Sequence, residues 1–340
     1  MEIAKESIFI SAIRSLLKTL FGAIGIFIAF LPIILILTAV SSDTTVNNKT
    51  IFTPLPDLNG NKKILPMSTP VILQVNIEGV VGQEQLTAKL IETQLIESRK
   101  NQLKNDRVKG ILLNINTPGG LSTDGYNIYY QLKKYKEKYN VPIYAYINGL
   151  CSSAGMEIAC TSDKIFASPP SMIGNVGVFI GPFFNVKDAL EKWGVNSKII
   201  SEGKDKTMMS PFTTWKEDED KYLKAIVEYS YKQFVKLVTS ARPKITEEAL
   251  VNEYGAGIFD PEKAEEIGFI DQISDYDIAL KELLTKANID ETKPYQIVEL
   301  KPRHKFLEEL IQGESLLKGK LKHTFQFDNQ ESCNSLKFLF

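Results

Sequence analysis

A chain of 340 residues, 44% hydrophobic and 24% charged, has enough apolar material for one large core or two modest ones. Lys and Arg number 40 against 41 Asp and Glu, a net charge of −1, which argues against a nucleic-acid binder, since such proteins show a basic excess or stripe. The same balance argues against wholesale disorder.

Residues 1–19 hold Lys5, Arg14 and Lys18, followed by an uncharged stretch at 20–40, LFGAIGIFIAFLPIILILTAV. As a helix this stretch would span roughly 31 Å, the thickness of a bilayer's hydrocarbon core. Pro32 is tolerated in a spanning helix, and the preceding basic residues keep the N-terminus cytoplasmic. A cleaved signal peptide would have a shorter apolar region and an A-x-A-like site. The stretch therefore reads as a single transmembrane signal anchor, with everything after Val40 exported. Residues 41–66 are polar and broken by Pro, Gly and Asn, the composition of a linker.

Residues 67–290 form the predicted main domain. PVILQVNIEGVV (70–81) reads as a β-branched strand, and Leu86, Leu90, Ile91 and Leu95 have helical spacing. KGILLNIN (109–116) is a second strand, 122–139 a tyrosine-rich helix, and VPIYAYI (141–147) a third strand. The small-residue segment CSSAGMEIAC opens another helix. Strands alternating with helices predict an α/β fold with right-handed crossovers. A long amphipathic helix is expected at 217–241, with acidic residues in its first turn and Pro243 as its stop. Patterning weakens after 290, so 291–340 reads as a peripheral tail.

The two histidines, His304 and His323, both lie in that tail, so chemistry in the body of the chain needs a base other than imidazole. Cys151, Cys160 and Cys333 match neither a zinc-ligand spacing nor a disulfide framework. Free buried thiols are expected, although a Cys151–Cys160 bridge is conceivable in an oxidising compartment. No metal or cofactor is called for.

Three features have chemical potential. In NINTPGG, a strand runs into Pro118-Gly119-Gly120, and paired glycines there let a backbone N–H approach a ligand closely. Most P-G-G triplets are simply turns. Ser153, in SSAGM, sits at a predicted helix start, where its hydroxyl and the unpaired N–H of Ala154 share the positive end of the dipole. An ordinary N-cap serine fits the same pattern. In GKDKTMMSPF, Lys206 precedes an apolar run that would desolvate its amine and make it a base, although loop lysines are usually solvated.

Together these motifs resemble the signal peptide peptidase A family of Ser–Lys proteases, of the Clp protease/crotonase superfamily. The similarity runs over residues 70–280 through GILLNINTPGG, YINGLCSSAGMEIACTSDKIFASP, IGNVGVF, GKDKTMMSPF and GIFDPEKAEEIGFIDQI. The resemblance implies a Clp protease/crotonase-like α/β fold behind a single N-terminal transmembrane helix. It places the nucleophile on Ser153, the general base on Lys206 and the oxyanion donors on the N–H groups of Gly120 and Ala154. Lys204 is the nearest rival base, two residues early. Two positions depart from the family. Ala154 replaces a glycine, and Asn175 in IGNVGV replaces a serine that orients the lysine. An asparagine carbonyl can accept from the amine in its place.

The resemblance further implies a bacterial inner-membrane location and remnant signal peptides, or other unfolded peptides, as substrates. Chains of this length resemble half-size members that form homo-oligomeric rings with sites shared between subunits. A degraded, membrane-tethered peptide-binding scaffold is the competing reading. Acyl-CoA chemistry is disfavoured because an exported domain would not meet coenzyme A.

Overall fold

The computed structural model describes residues 13–22, 24, 25, 28, 30, 47–83 and 86–303. Two compact units are distinguished: one comprises Met1–Val46 with His304–Phe340, the other Asn47–Arg303. In the first, the described residues from 13 to 30 are helical. Most of the predicted span 20–40 lies outside the described residues, as do His304, His323 and Cys333. Among the described residues no helix is long and apolar enough to cross a membrane.

The unit Asn47–Arg303 is built on a mostly parallel sheet. Its strands are β1 (Asn47–Leu55), β2 (Val71–Glu78), β3 (Val108–Thr117), β4 (Ile143–Ser152), β5 (Lys164–Ala167), β6 (Met172–Gly174), β7 (Ile258–Phe259), β8 (Gln272–Ile273) and β9 (Gln296–Arg303). The main order is β1-β9-β2-β3-β4-β5-β8. Helices α1 (Ala88–Glu97) and α2 (Ser122–Tyr139) connect the central strands, and α3 (Ala154–Ala159) follows β4. Beyond them lie α4 (Lys187–Lys192), α5 (Lys221–Ala241), α6 (Pro261–Ile267) and α7 (Tyr276–Lys286). The alternation of strand and helix expected from the sequence is present.

Both faces of the sheet are covered, which is why its strands read as continuous apolar runs. Leu73, Val75, Ile111, Leu113, Ile115 and Ile143 belong to the larger core, together with residues of α1, α2, α3 and α5. Their alternates Ile72, Leu112, Tyr144 and Phe166 pack with Leu280, Leu283 and Leu284 of α7.

Three boundaries differ from the sequence reading. Residues 47–55 of the predicted linker form β1, and residues 296–303 of the predicted tail form β9, which pairs with β1 and with β2. Neither strand carries the apolar density that marks the central ones, so both were hidden. The predicted helix 217–241 starts at Lys221, after the acidic run. Glu219 instead accepts from the N–H groups of Met209 (3.1 Å) and Lys216 (2.7 Å), and Asp220 pairs with Lys224 at 3.0 Å.

What positions the site is the double use of one edge of β4. Residues 144–147 pair with β5, and Leu150–Ser152 pair with β6. The C-terminal half of β4 is thereby gripped between β3 and β6 and ends on Ser153.

Candidate active site

β4 passes into α3 through one residue, Ser153, whose backbone lies at φ 53° and ψ −119°. Such a conformation strains any side chain beyond glycine and persists only where the surroundings enforce it. They do so from both sides. Ser153 N–H donates to Gly174 O of β6 at 3.0 Å, and Ser153 O accepts from the N–H groups of Met156 (2.8 Å) and Glu157 (3.2 Å). Ser153 is half-buried, and no hydrogen bond among the described residues engages its hydroxyl.

The PGG turn packs directly onto this elbow. A Cβ on Gly119, whose φ is 93°, would stand 2.7 Å from Ser153 Cβ and 3.1 Å from Ala154 N. A Cβ on Gly120 would collide with the Val81 carbonyl oxygen. Glycine is required at both positions by close approach. Val81 N–H donates to Gly119 O, and Leu121 N–H donates to Val81 O. In that bridge the N–H of Gly120 is left without an acceptor among the described residues. Ala154 N–H, in the first turn of α3, has none either. The turn is held from behind by Thr117, whose hydroxyl donates to Gly79 O and accepts from Gly119 N–H.

Ala154, where the resembled family has glycine, is accommodated by α2. A Cβ on Gly125 would lie 2.8 Å from both Ala154 Cβ and Glu157 Oε2, so the missing side chain of α2 makes room for the methyl of α3. Glu157 is buried, and burial pushes its carboxyl up to about 7. Cys151 and Cys160 are buried free thiols, as expected. Burial pushes the Cys160 thiol up to about 12, which keeps it an inert neutral group.

Asn175 follows β6, one step beyond the Ser152–Gly174 pair, and so flanks Ser153 in register. Its φ is 56°, a conformation asparagine tolerates better than serine. Its N–H donates to Gly257 O at 2.6 Å, so the GAGIF segment braces the strand beside Ser153.

Lys206 departs from expectation. It lies in successive turns over 203–210 and is exposed, not desolvated by the apolar run after it. Neither Lys206 nor Lys204 makes an ion pair or side-chain hydrogen bond among the described residues, and no hydrogen bond links Lys206 Nζ to Ser153 Oγ. The loop still approaches the site. Met209, three residues on, lines a groove of about 720 Å³ with Val176, Val178, Phe183, Leu223 and Tyr231. Val176 is the neighbour of Asn175, so one apolar groove joins the lysine-bearing loop to the strand beside Ser153.

Several members of this arrangement were not apparent in the sequence: Gly174 and Gly257, which act through carbonyls, and Gly125 and Glu157, which act through packing. Backbone acceptors leave no mark on side-chain pattern. The unusual glycine early in α2 is the one signal that was available.

Residues 135–290, which include the elbow, Asn175 and the lysine loop, match Peptidase family S49. The Enterococcus faecium protein named "Putative signal peptide peptidase SppA" is 35% identical over 240 residues, covering 68% of this chain and 67% of that one. The chain belongs to peptidase family S49. "Protease 4" of Salmonella typhi is 28% identical over 177 residues, 51% of this chain and 28% of that protein. Among solved structures, a ClpP1 mutant from Listeria monocytogenes aligns at 18% identity and a TM-score of 0.40, covering 63% of this chain and 96% of that one. Membership in S49 makes the protein a serine-type peptidase, and the family match spans the elbow at Ser153.

Proposed function

We propose that this S49 protein is a membrane-anchored Ser–Lys endopeptidase that cleaves remnant signal peptides or other unfolded peptides. The observation that carries this reading is Ser153 at φ 53°, beside two N–H groups that have no acceptor among the described residues. Strain of this kind is kept where a function needs it.

In the proposed reaction a neutral Lys206 amine takes the Ser153 hydroxyl proton as Oγ attacks the scissile carbonyl. The N–H groups of Gly120 and Ala154 hold the oxyanion. The ammonium returns its proton to the leaving amine, and water then cleaves the acyl-enzyme by the same route. Asn175 Oδ1 accepts from the amine and orients it. Exposed Lys206 acquires its apolar setting from a neighbouring copy in a homo-oligomeric ring. Support comes from exposed apolar side chains: Phe179, which lines the groove, and Trp193 and Ile200 between it and the lysine loop in sequence are each more than 80% exposed. Large exposed apolar groups of this kind mark interfaces. The uncharged run 20–40 would anchor the ring in the bacterial inner membrane, with the catalytic domain outside the cytoplasm.

The direct test is labelling by a fluorophosphonate, which requires an activated hydroxyl, with Ser153→Ala as control. Labelling lost in the variant supports the reading. No labelling in intact assemblies favours the second reading, a peptide-binding scaffold, which Asn175 and a Lys206 without a side-chain partner among the described residues motivate. Protease added outside spheroplasts should digest the domain beyond Val40; protection there would refute the topology.

A further inference from the structure

The helix that presents Ser153 carries a carboxyl group that the proposed reaction does not use. Glu157 lies on α3, three residues after Ala154, so the two side chains share one face of the helix. It is 7% exposed, and among the described residues no hydrogen bond or ion pair engages its carboxyl, whose oxygens keep only slight solvent contact. Its Oε2 sits against the bare backbone of Gly125, as does the methyl of Ala154, so it lies within two van der Waals contacts of that methyl. A buried carboxyl without a donor is comfortable only when protonated.

The groups around it do not compensate a negative charge. From α2, the nearby Asp124 is committed to the N–H of Ala88 at 2.8 Å. From β4 and from α3 itself come the neutral thiols Cys151 and Cys160. The buried residues of α5 are Phe234, Val235 and Val238, all apolar. Arg242, just beyond α5, is locked to Asp271 through two bonds of 2.8 Å each and to Gly268 O at 2.7 Å. β3 presents Thr117, whose hydroxyl is committed to the PGG turn.

Resting on the assignment of Ser153 and the Ala154 N–H, we propose that Glu157 is a positioning residue whose neutral form keeps the oxyanion site competent and whose ionisation shuts it. Two effects act in the same direction. A carboxylate behind Ala154 opposes the negative charge that develops on the oxyanion. It also demands water in the seam between α2 and α3, loosening the first turn that carries the N–H. Burial places the titration of Glu157 near neutrality.

The experiment uses the full chain in its membrane or detergent-solubilised form. Peptide hydrolysis is followed from pH 5.5 to 9.5 for the wild type and for Glu157→Gln, which keeps the shape and cannot ionise. Divided by the kcat of Glu157→Gln at the same pH, the wild-type kcat should fall by up to about tenfold per pH unit above neutrality, with KM little changed. Glu157→Gln should lose that falling limb and keep the rising limb of the base. An alkaline limb that is the same in both proteins overturns the proposal.

A second measurement is independent of catalysis. Below pH 4.5 both folded and unfolded chains hold the Glu157 proton. Between 4.5 and about 7 only the folded chain does, so its contribution to stability drains away as pH rises through that window. The melting temperature of the wild type should therefore decline relative to Glu157→Gln from pH 5 to pH 8. A constant difference between the two would sink the proposal even if the variant were inactive. A failure of the Ser153 assignment would instead show as hydrolysis surviving in Ser153→Ala.

Discussion

Around Ser153 the backbone is fixed by β-pairing on both edges of β4, by the PGG turn and by the first turn of α3, and its neighbours Ser152 and Ala154 are buried. Around Lys206 the chain is held by single turns, Lys206 N–H to Gly203 O at 3.3 Å and Met208 N–H to Asp205 O at 3.1 Å, and the lysine points to solvent. One half of the proposed dyad is completed by the fold of its own chain, and the other is presented unfinished. A nucleophile needing a strained backbone must be built into the core. A base, by contrast, can wait on a loop if something else desolvates it. Strain has to be enforced by covalently continuous structure, whereas an apolar lid is equally effective from a neighbouring chain.

Removing either half of the dyad should have the largest effect. Ser153→Ala and Lys206→Ala should each lower kcat roughly 10,000-fold, because both belong to one catalytic unit. Lys204→Ala should leave steady-state hydrolysis nearly unchanged. Loss of activity in the Lys204 variant alone would move the base by two residues.

The rigid half should also be intolerant of small additions. Gly119→Ala puts a methyl against Ser153 Cβ and Ser152 O, where the nearest distances are 2.7 and 2.8 Å. Overpacking of this kind costs about 1–3 kcal/mol, and the displaced elbow should lose roughly 100-fold in kcat. A matched substitution on the exposed loop, Gly203→Ala, meets no atom within 4 Å. Its φ of 101° is the one source of strain there. Urea melts and hydrolysis rates of the two variants side by side test whether the asymmetry is real.

How much of this could be read beforehand follows the same division. The central strands β2, β3 and β4 and helix α2 were legible because burial on both faces writes itself as unbroken apolar runs and helical spacing. That Ser153 and Ala154 open a helix and Gly120 follows a strand end was legible because small residues and paired glycines mark such junctions. β1 and β9 were not, since edge-side strands mix Lys, Asn and Pro with their apolar residues. The environment of Lys206 was misread for a different reason. Apolar neighbours in sequence such as Met209 face the groove, while the amine faces away, and one-dimensional proximity cannot distinguish the two.

A subtler probe is Asn175, proposed to orient the amine. Asn175→Ser would give the amine a hydroxyl partner but would place serine at φ 56°, costing about 1 kcal/mol. Stability should fall slightly while kcat rises by up to about tenfold. A fall in both would mean that Asn175 already orients the base as well as a serine does.

The smallest expected effect tests the comparison most directly. If Lys206 is completed by a neighbour, Ser153 of one chain faces Lys206 of the next, and two inactive variants can rescue each other. In rings assembled at random from equal amounts of Ser153→Ala and Lys206→Ala chains, a site is intact when both contributing subunits are of the correct type. Each is correct half the time, so about a quarter of wild-type activity should return. The ratio of the two chains offers an internal control, because the recovered fraction is the product of their shares and peaks at equal mixing. A site contained within one chain would recover nothing at any ratio, since every subunit lacks one group. Zero activity in verified mixed assemblies would therefore return Lys206 to its own chain, and a movement of the 203–210 loop, not a neighbouring subunit, would then have to bring it to Ser153.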